Sequence, residues 1–289
     1  MDFEELIYKR FSESEELAAF LAVYSGRPAV FSPAPPEDNQ KGWDSKTQYP
    51  RVVYNFDMQA NEERKSAGVL SVSLICQNTG EVVPEEIEPT VRKCLKDVLL
   101  KPDGSESLFA FAWARTDAFE LQETKNDLLI GCEVRFDILE YTNQETSDPD
   151  PVMAMNGYIK DMYHDYTVVG YDRMEEITVA SKDNPVFYCR LISADKAEET
   201  NTVAWMDGRI AVHILCPDNG VRLKLAADLA NSLSLDGEVI MLDKSPMFIR
   251  RLQMDNKSDY LKDGQVFVTG RYGLLRYRAK PHGLNHIIY

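Results

Sequence analysis

The chain has 289 residues, of which 44% are hydrophobic and 10% aromatic, and its formal net charge is −15. This length suits two domains of about 140 residues, and the apolar content excludes disorder along the whole chain. Residues 1–150 hold 15 Lys and Arg against 29 Asp and Glu. Such an acidic half excludes a module that grips nucleic acid. It is either a solvated face that aids solubility or a surface past which nucleic acid slides.

Five cysteines are spread along the chain without a Cys-x-x-Cys pair. This spacing favours buried thiols in a reducing compartment over a disulfide framework or a zinc knuckle. The first residues lack the basic and apolar regions of a signal peptide, and no apolar run approaches the roughly 18 residues of a membrane span. We therefore expect a protein with no membrane partner.

Two leading helices are predicted. The first lies within Ser12–Gly26, with Ser12 or Ser14 as its N-cap and glutamates in its first turn. The second is shorter and lies around Pro151–Tyr163.

The stretch Thr142–Pro151 contains Asp-Pro pairs and no apolar run, which is typical of a linker. We place the first domain at residues 1–141, the linker at 142–150 and the second domain at 151–289. Within the second domain, residues 280–289 follow the last predicted strand and form a C-terminal tail.

An internal repeat is visible by eye. Gly68–Cys76 reads GVLSVSLIC and Gly208–Cys216 reads GRIAVHILC, and the two segments match without a gap. Their alternation of apolar with small or polar residues predicts a strand with one buried face. A strand opened by proline precedes each copy, YPRVVY over residues 49–54 and NPVFY over residues 184–188. A polar loop joins each pair, over residues 57–67 and 195–207.

A helix follows each repeat strand, over residues 84–100 in the first copy and 221–233 in the second, because apolar residues recur there at helical spacing. Two more strands close each copy. They are predicted at residues 109–115 and 128–141, and at 247–254 and 265–277. Aligning the tyrosines that end the last strands places Phe136 opposite Tyr272 and Ile138 opposite Leu274. The predicted fold class is α+β, with two tandem β-β-α-β-β domains, each an antiparallel or mixed sheet packed by helices.

No residue pattern indicates catalysis. The chain lacks the glycine-rich phosphate motifs and the Gly-x-Ser-x-Gly nucleophile elbow. His213, whose counterpart in the first copy is Ser73, is either a catalytic base or a strand-face histidine against solvent or the helix layer. His282 and His286 have a spacing that binds metal only on a helix with a third ligand, and the glycine between them disfavours that helix. We expect no enzyme activity, cofactor or metal.

Assembly contacts are the alternative to chemistry. The only basic cluster, which includes Arg250, Arg251, Arg271 and Arg276, lies on the predicted final strands. It pairs with the acidic half of a neighbouring copy or forms a solvated sheet face. The apolar end of the tail suggests docking on a neighbour. The candidate assembly contacts are Glu62, Glu63, Arg64, Glu120, Arg250, Arg251, Arg271, Arg276, Ile287, Ile288 and Tyr289.

The order of elements in the first copy resembles that of phage tail-terminator and minor tail proteins. It runs from a short helix through SGRPAVFSPAPP, YPRVVYNFD and GVLSVSLICQNTG to a second helix and DLLIGCEVRFDILEY. The similarity covers residues 1–141, and the order matters more than any single motif. The chain departs from this family in its length, because such proteins usually have one copy.

The resemblance implies a ring, typically six-fold, that caps the finished tail tube and offers a surface to head-completion proteins. The implied partners are other copies of the chain, the tail tube protein and head–tail connector proteins, with no sequence-specific nucleic acid. The implied location is the virion tail or neck, after synthesis in the bacterial cytoplasm. In one arrangement, three chains supply six similar domains to a pseudo-six-fold ring. In the other, six chains form the ring and their second copies lie on its outside. The rival hypotheses are a neck or baseplate adaptor and a small-molecule-binding protein with an inter-domain pocket.

Overall fold

The structure, a computed structural model, describes residues 1–37, 40–44, 48–78, 81–122, 128–142 and 148–276. It is a mixed α/β protein with two curled sheets. Its elements, in chain order, are α1 (Phe3–Ser12), α2 (Glu15–Ala18), β1 (Val23–Tyr24), β2 (Arg27–Pro28), β3 (Val30–Phe31), β4 (Arg51–Asp57), β5 (Gly68–Gln77), α3 (Pro84–Leu95), β6 (Val98–Leu100), β7 (Leu108–Gln122), β8 (Leu128–Tyr141), α4 (Pro151–Met162), β9 (Thr167–Val168), β10 (Ile177–Val179), β11 (Val186–Glu199), β12 (Val203–Leu215), α5 (Asn219–Asp236), β13 (Glu238–Ile240), β14 (Pro246–Met254) and β15 (Val266–Leu275).

The chain divides into two compact units. Unit one comprises residues 1–143, 173–183 and 215–217, and unit two comprises residues 144–172, 184–214 and 218–289. The main sheet of unit one has the order β10-β6-β7-β8-β5-β4-β3, and the sheet of unit two has the order β13-β14-β15-β12-β11-β9. The short edge strands β3 and β9 run parallel to β4 and β11. The pairs β10–β6, β6–β7, β7–β8, β8–β5 and β5–β4 in the first sheet, and β13–β14, β14–β15 and β15–β12 in the second, are antiparallel.

Residues 173–183 belong to unit one, although the sequence prediction assigns them to the second domain. The reason is that β10 pairs with β6, from Ile177 opposite Leu100 to Val179 opposite Val98. The predicted linker lies mostly outside the described residues. At its end, Asp150 is the N-cap of α4, and its Oδ1 accepts hydrogen bonds from the amides of Val152 at 2.7 Å and Met153 at 3.1 Å.

The first leading helix starts earlier than its sequence pattern predicts. The side chain of Asp2 accepts a bond from the Glu5 amide at 2.8 Å, and the Glu5 side chain accepts one from the Asp2 amide at 3.1 Å. This capping box starts α1, whose Leu6 and Ile7 are buried. Ser14 does act as an N-cap, but of the single turn α2. The predicted helix within Ser12–Gly26 is therefore wrong in its bounds, whereas the one around Pro151–Tyr163 is confirmed as α4.

The helix predicted over residues 84–100 ends at Leu95 in the structure. Asp97 has a φ of 55°, a left-handed conformation that cannot continue a helix. The next three residues form β6 between β10 and β7, and all of them are buried. The apolar residues of β6 happen to continue the helical spacing of α3, because every side chain of this covered strand is apolar. The sequence prediction therefore extends the helix too far. In unit two, α5 is longer than predicted and ends at Gly237, whose φ is 71°.

The loop predicted over residues 195–207 is mostly strand. β11 continues to Glu199 and β12 begins at Val203, so the pair forms a long hairpin. From Ser193 to Glu199 the side chains of β11 are exposed. Because neither face of this arm is buried, its residues do not alternate, and its sequence resembles that of a loop.

The repeat strands are confirmed as β5 and β12. Their inward side chains have exposed fractions of 1% or less and fall in the same phase along the two strands: Leu70, Val72, Leu74 and Cys76 in the first, and Ile210, Val212 and Ile214 in the second. Each strand lies in the middle of its sheet. Residues of α1 and α3 complete the core of unit one, and residues of α4 and α5 complete that of unit two.

The last strands have a register that the end tyrosines do not predict. Gly68 lies opposite Ile138 in the first sheet, whereas Gly208 lies opposite Gly270 in the second. If the repeat glycines are equivalent, Ile138 corresponds to Gly270 rather than to Leu274, a shift of four residues. The predicted equivalence of Phe136 with Tyr272 is therefore wrong. The inward and outward positions stay in phase because the shift is an even number.

Candidate functional site

Two arginines of the basic cluster bind acidic residues of their own unit. Arg271 donates from Nε to Oδ1 of Asp207 at 2.8 Å and from Nη2 to Oδ2 at 3.0 Å, across the β12–β15 ladder. These hydrogen bonds lower the pKa of the Asp207 carboxyl. Arg276 pairs with Glu199 on the hairpin arm. Both arginines therefore stabilise unit two internally.

Arg250 and Arg251 differ from this pair. They lie at the register shift of β14 between Ile249 and Arg251, and both are exposed. Neither forms a hydrogen bond or ion pair within the described residues. Of the four cluster arginines, these two keep their charges available for another molecule.

The acidic candidates lie in unit one. Glu62 and Glu63 are exposed in the turn between β4 and β5, and Glu120 is exposed on β7. Arg64 of the same turn reaches back instead, and its Nη2 lies 2.8 Å from Oδ1 of Asp137, whose side chain is 2% exposed. Because Arg64 pairs with a buried carboxylate, it has a structural role.

Two sets of the predicted residues lie beyond the described part of the chain. Ile287, Ile288 and Tyr289, the apolar end of the tail, lie outside the described residues. The same is true of His282 and His286, the histidine pair tested for metal binding. Docking by the tail stays a prediction.

His213 occupies a buried polar cluster on the sheet face opposite the α5 side of β12. Its Nε2 accepts a hydrogen bond from Arg190 Nε at 3.0 Å, so Nδ1 carries the proton and donates to the Tyr260 carbonyl at 2.8 Å. Arg190 also donates to the carbonyls of Lys262 and Asp263 at 3.3 and 3.4 Å. The loop between β14 and β15 thus covers the histidine.

The environment of His213 disfavours its protonated form. Burial is the main cause and the Arg190 guanidinium is the second, and together they lower the pKa of His213 to about 4. A neutral ring with both nitrogens bonded has no lone pair left to take a proton from a substrate. His213 therefore fastens the loop to the sheet, and the prediction that it faces solvent or the helix layer is wrong.

Two surface clefts open in unit one. The first, about 420 Å³, is lined by residues of α1 and β3 together with Tyr54, and its carboxylates include Asp2 and Glu5 of the capping box. The second, about 460 Å³, contains Arg10, whose Nε and Nη2 both donate to the Cys94 carbonyl. The charged side chains of Asp2, Glu5 and Arg10 are engaged in holding the fold, so these three groups are not free to orient a ligand.

An open sheet edge is the feature that the sequence analysis missed. β13 is one of the two edge strands of the unit-two sheet. Around it, four large apolar side chains are exposed: Leu235 at 87%, Ile240 at 56%, Leu242 at 73% and Phe248 at 39%. The available signal was the run LDGEVIML over residues 235–242, in which apolar residues continue past the glycine that ends the helix.

Comparison with protein families, with curated proteins and with solved structures gives no match. Within the described ranges, no group of three His, Cys, Asp or Glu side chains is placed to hold a metal ion. No helix among these residues is both long and apolar enough to cross a membrane.

Proposed function

We propose that this chain is a structural protein of a phage or phage-like particle, which forms a ring that caps the tail tube and joins it to head-completion proteins. The sequence resemblance over residues 1–141 supplies the particle and the location, the virion tail or neck. The role requires no reaction and no cofactor. It requires a surface that matches the last tube ring on one side and differs on the other.

The observation that carries the proposal is the correspondence between the two sheets. The order β6-β7-β8-β5-β4-β3 in unit one runs like β13-β14-β15-β12-β11-β9 in unit two, and both end in a short parallel strand. A helix connects the two central hairpins in each case. We infer two copies of one domain with a β-β-α-β-β centre, in which each sheet gains short strands at its edges.

Two similar modules in one chain suit a ring. Head-to-tail contacts that close by rotation generate a ring from identical or similar units. Three chains would supply six modules, and six chains would supply six with a further six outside. The exposed Glu62, Glu63 and Glu120 in unit one and the exposed Arg250 and Arg251 in unit two give such contacts opposite charges.

The experiment is light scattering after size exclusion, combined with negative-stain images, with and without the tail tube protein. A ring of three or six chains with a hole as wide as the tube supports the proposal. A protein that stays monomeric at high concentration and forms no ring with tube protein contradicts it, and favours an adaptor role elsewhere in the particle.

A further inference from the structure

The amides of β13 that face outward can be identified from its bonds to β14. Ile249 N–H donates to the Gly237 carbonyl and Met241 N–H donates to the Ser245 carbonyl, both at 2.9 Å. In an antiparallel ladder the residues that exchange these bonds alternate with residues whose N–H and C=O point the other way. Glu238 and Ile240 therefore present their main-chain groups to the open edge of the sheet.

The side chains at this edge are unlike those of a protected edge. Proteins usually block edge strands with charges, prolines or a covering segment. Here the side chains of Glu238 and Ile240 lie on one face beside Phe248 and Pro246, their partners on β14. Glu238 is the only charged residue of β13. An exposed strand edge beside an apolar surface indicates a place where another strand binds.

Unit one shows how this chain closes the corresponding edge. β6 is covered by the antiparallel strand β10, and the ladder is continued by Lys101 N–H to the Glu176 carbonyl at 2.8 Å and by Ala180 N–H to the Asp97 carbonyl at 2.9 Å. The side chains of β6 are at most 1% exposed. Within the described residues, no strand does the same for β13.

We infer that the open edge is the contact through which one copy of this chain binds a second copy, by antiparallel pairing of β13 with β13 of the partner about a two-fold axis. Glu238 lies opposite Ile240 of the partner copy and Ile240 opposite its Glu238, each pair exchanging two main-chain hydrogen bonds. β13 has two residues whose main-chain groups point outward, and they lie two positions apart. A second β13 that runs antiparallel can therefore bond to both of them in this register. No two like charges are directly opposite each other.

This inference goes beyond the ring proposed above and does not depend on the tail role. A two-fold contact pairs chains and stops at two, so a ring needs a further, heterologous contact. If the two-fold contact and the heterologous contact both occur, the assembly contains an even number of chains. The contact is short, below the area of about 1,200 Å² that stable interfaces reach, so its strength is measured over a concentration series.

The test uses sedimentation equilibrium of the full chain with substitutions at Ile240. Ile240→Glu places a carboxylate opposite Glu238 of the partner copy, and like charges directly opposite destabilise a strand pair. We expect the dissociation constant to rise at least about tenfold. Ile240→Lys places an ammonium there instead and leaves dimerisation intact. Adding Glu238→Lys to Ile240→Glu restores it. Because Ile240 is 56% exposed, these variants keep the unfolding temperature of the parent chain.

The matched control is Leu275→Glu, at the end of β15 in the same unit, where the side chain is 76% exposed. It leaves the dimer unchanged. A parent chain that is monomeric at all concentrations overturns the inference, as does equal weakening by Ile240→Glu and Ile240→Lys, which would indicate a general apolar contact. The inference is also overturned if the chain is monomeric and hydrogen exchange of the Ile240 amide is slow in the full chain but fast after residues 277–289 are removed.

A cross-link tests the register. Cα atoms of a hydrogen-bonded pair lie about 5.5 Å apart, within the span of a disulfide. The double variant Glu238→Cys/Ile240→Cys should form a covalent dimer on mild oxidation, whereas either single variant should not. The five natural cysteines are buried and form no disulfide, so they do not compete.

The two proposals can fail separately. If the parent chain forms rings with tube protein and Ile240→Glu and Ile240→Lys behave alike, the strand pairing is wrong and the proposed function survives. If the parent chain forms the expected dimer and no ring with tube protein, the strand pairing survives and the proposed function is wrong.

Discussion

The strands β6 and β13 occupy corresponding places in the two sheets, yet one is covered and the other is open. The outer side of β6 is paired with β10, a segment that lies about 80 residues later in the chain. β13 has β14 on one side and, among the described residues, no strand on the other. Two units whose strand orders correspond can therefore differ in which edge is available to another molecule.

Core truncation should have the strongest effect, and it tests whether the two units fold separately. Leu70 and Ile210 hold corresponding positions on the repeat strands, and both are fully buried. Truncation of either to Ala should cost about 2–5 kcal/mol in the free energy of unfolding of its own unit. Hydrogen exchange read by mass spectrometry on β5 and β12 measures each unit separately. Equal loss of protection in both units from one substitution would mean that they unfold together.

The next effect concerns Ser73 and His213, which hold equivalent places on the repeat strands. The pKa of His213 is about 4 in the folded protein, below its ordinary 6.5, so the unfolded chain binds more protons between these values. Unit two should therefore lose stability as the pH falls from 6.5 to 4, by about 3 kcal/mol at most. Urea unfolding across this range measures it. His213→Gln should flatten the dependence, and an unchanged slope would contradict the assignment.

A third substitution makes the covered edge resemble the open one. The β10 residues Glu176, Thr178 and Ala180 face β6 with their main-chain groups, because Glu176 and Ala180 bond to it. Thr178→Pro removes one ladder donor, and we expect a cost of about 1–3 kcal/mol and faster exchange of the β6 amides. Val179→Pro is the control, since the Val179 amide points away from β6. Similar effects of the two prolines would argue against this register.

The weakest effect separates paired from unpaired arginines. Arg271→Gln removes the two charge-assisted bonds to Asp207, whose side chain is 30% exposed, so we expect a loss of about 1 kcal/mol. Arg251→Gln should change the stability by less than about 0.5 kcal/mol, because Arg251 is exposed and unpaired within the described residues. Thermal unfolding of both variants measures the contrast. If Arg251→Gln costs as much as Arg271→Gln, the internal pairing does not distinguish them.

Local patterns predict the parts of the fold that are buried on one side. The repeat strands, α4 and α5 follow from alternation and helical spacing, because a side chain facing the core must be apolar whatever lies further away. The start of α1 has a local signal too, since Asp2 and Glu5 have capping-box spacing three residues apart. The serines at residues 12 and 14 offer a competing start, which is why the sequence prediction places the helix too late.

For the charged candidate contacts, the sequence predicts the charge of each side chain but not its partner in the fold. The sequence identifies Arg271 and Arg276 as basic, but their partners Asp207 and Glu199 lie on other strands of the same sheet. The burial of His213 likewise depends on Arg190 and on a loop some 50 residues later. Pairing across strands decides whether a charge is free to bind another molecule, and composition does not contain this information.

The residues that enter the two cores, and the order of the central strands and helices, follow from the amino-acid sequence because burial of one face imposes a period on neighbouring residues. Three other features depend on contacts between distant segments: Val98–Leu100 form a strand, Ile177–Val179 cover it, and the last strands differ in register by four residues. The open edge of β13 is a fourth. Edges and registers are fixed by main-chain hydrogen bonds between segments far apart in the chain, and these bonds leave no period in the residues that make them.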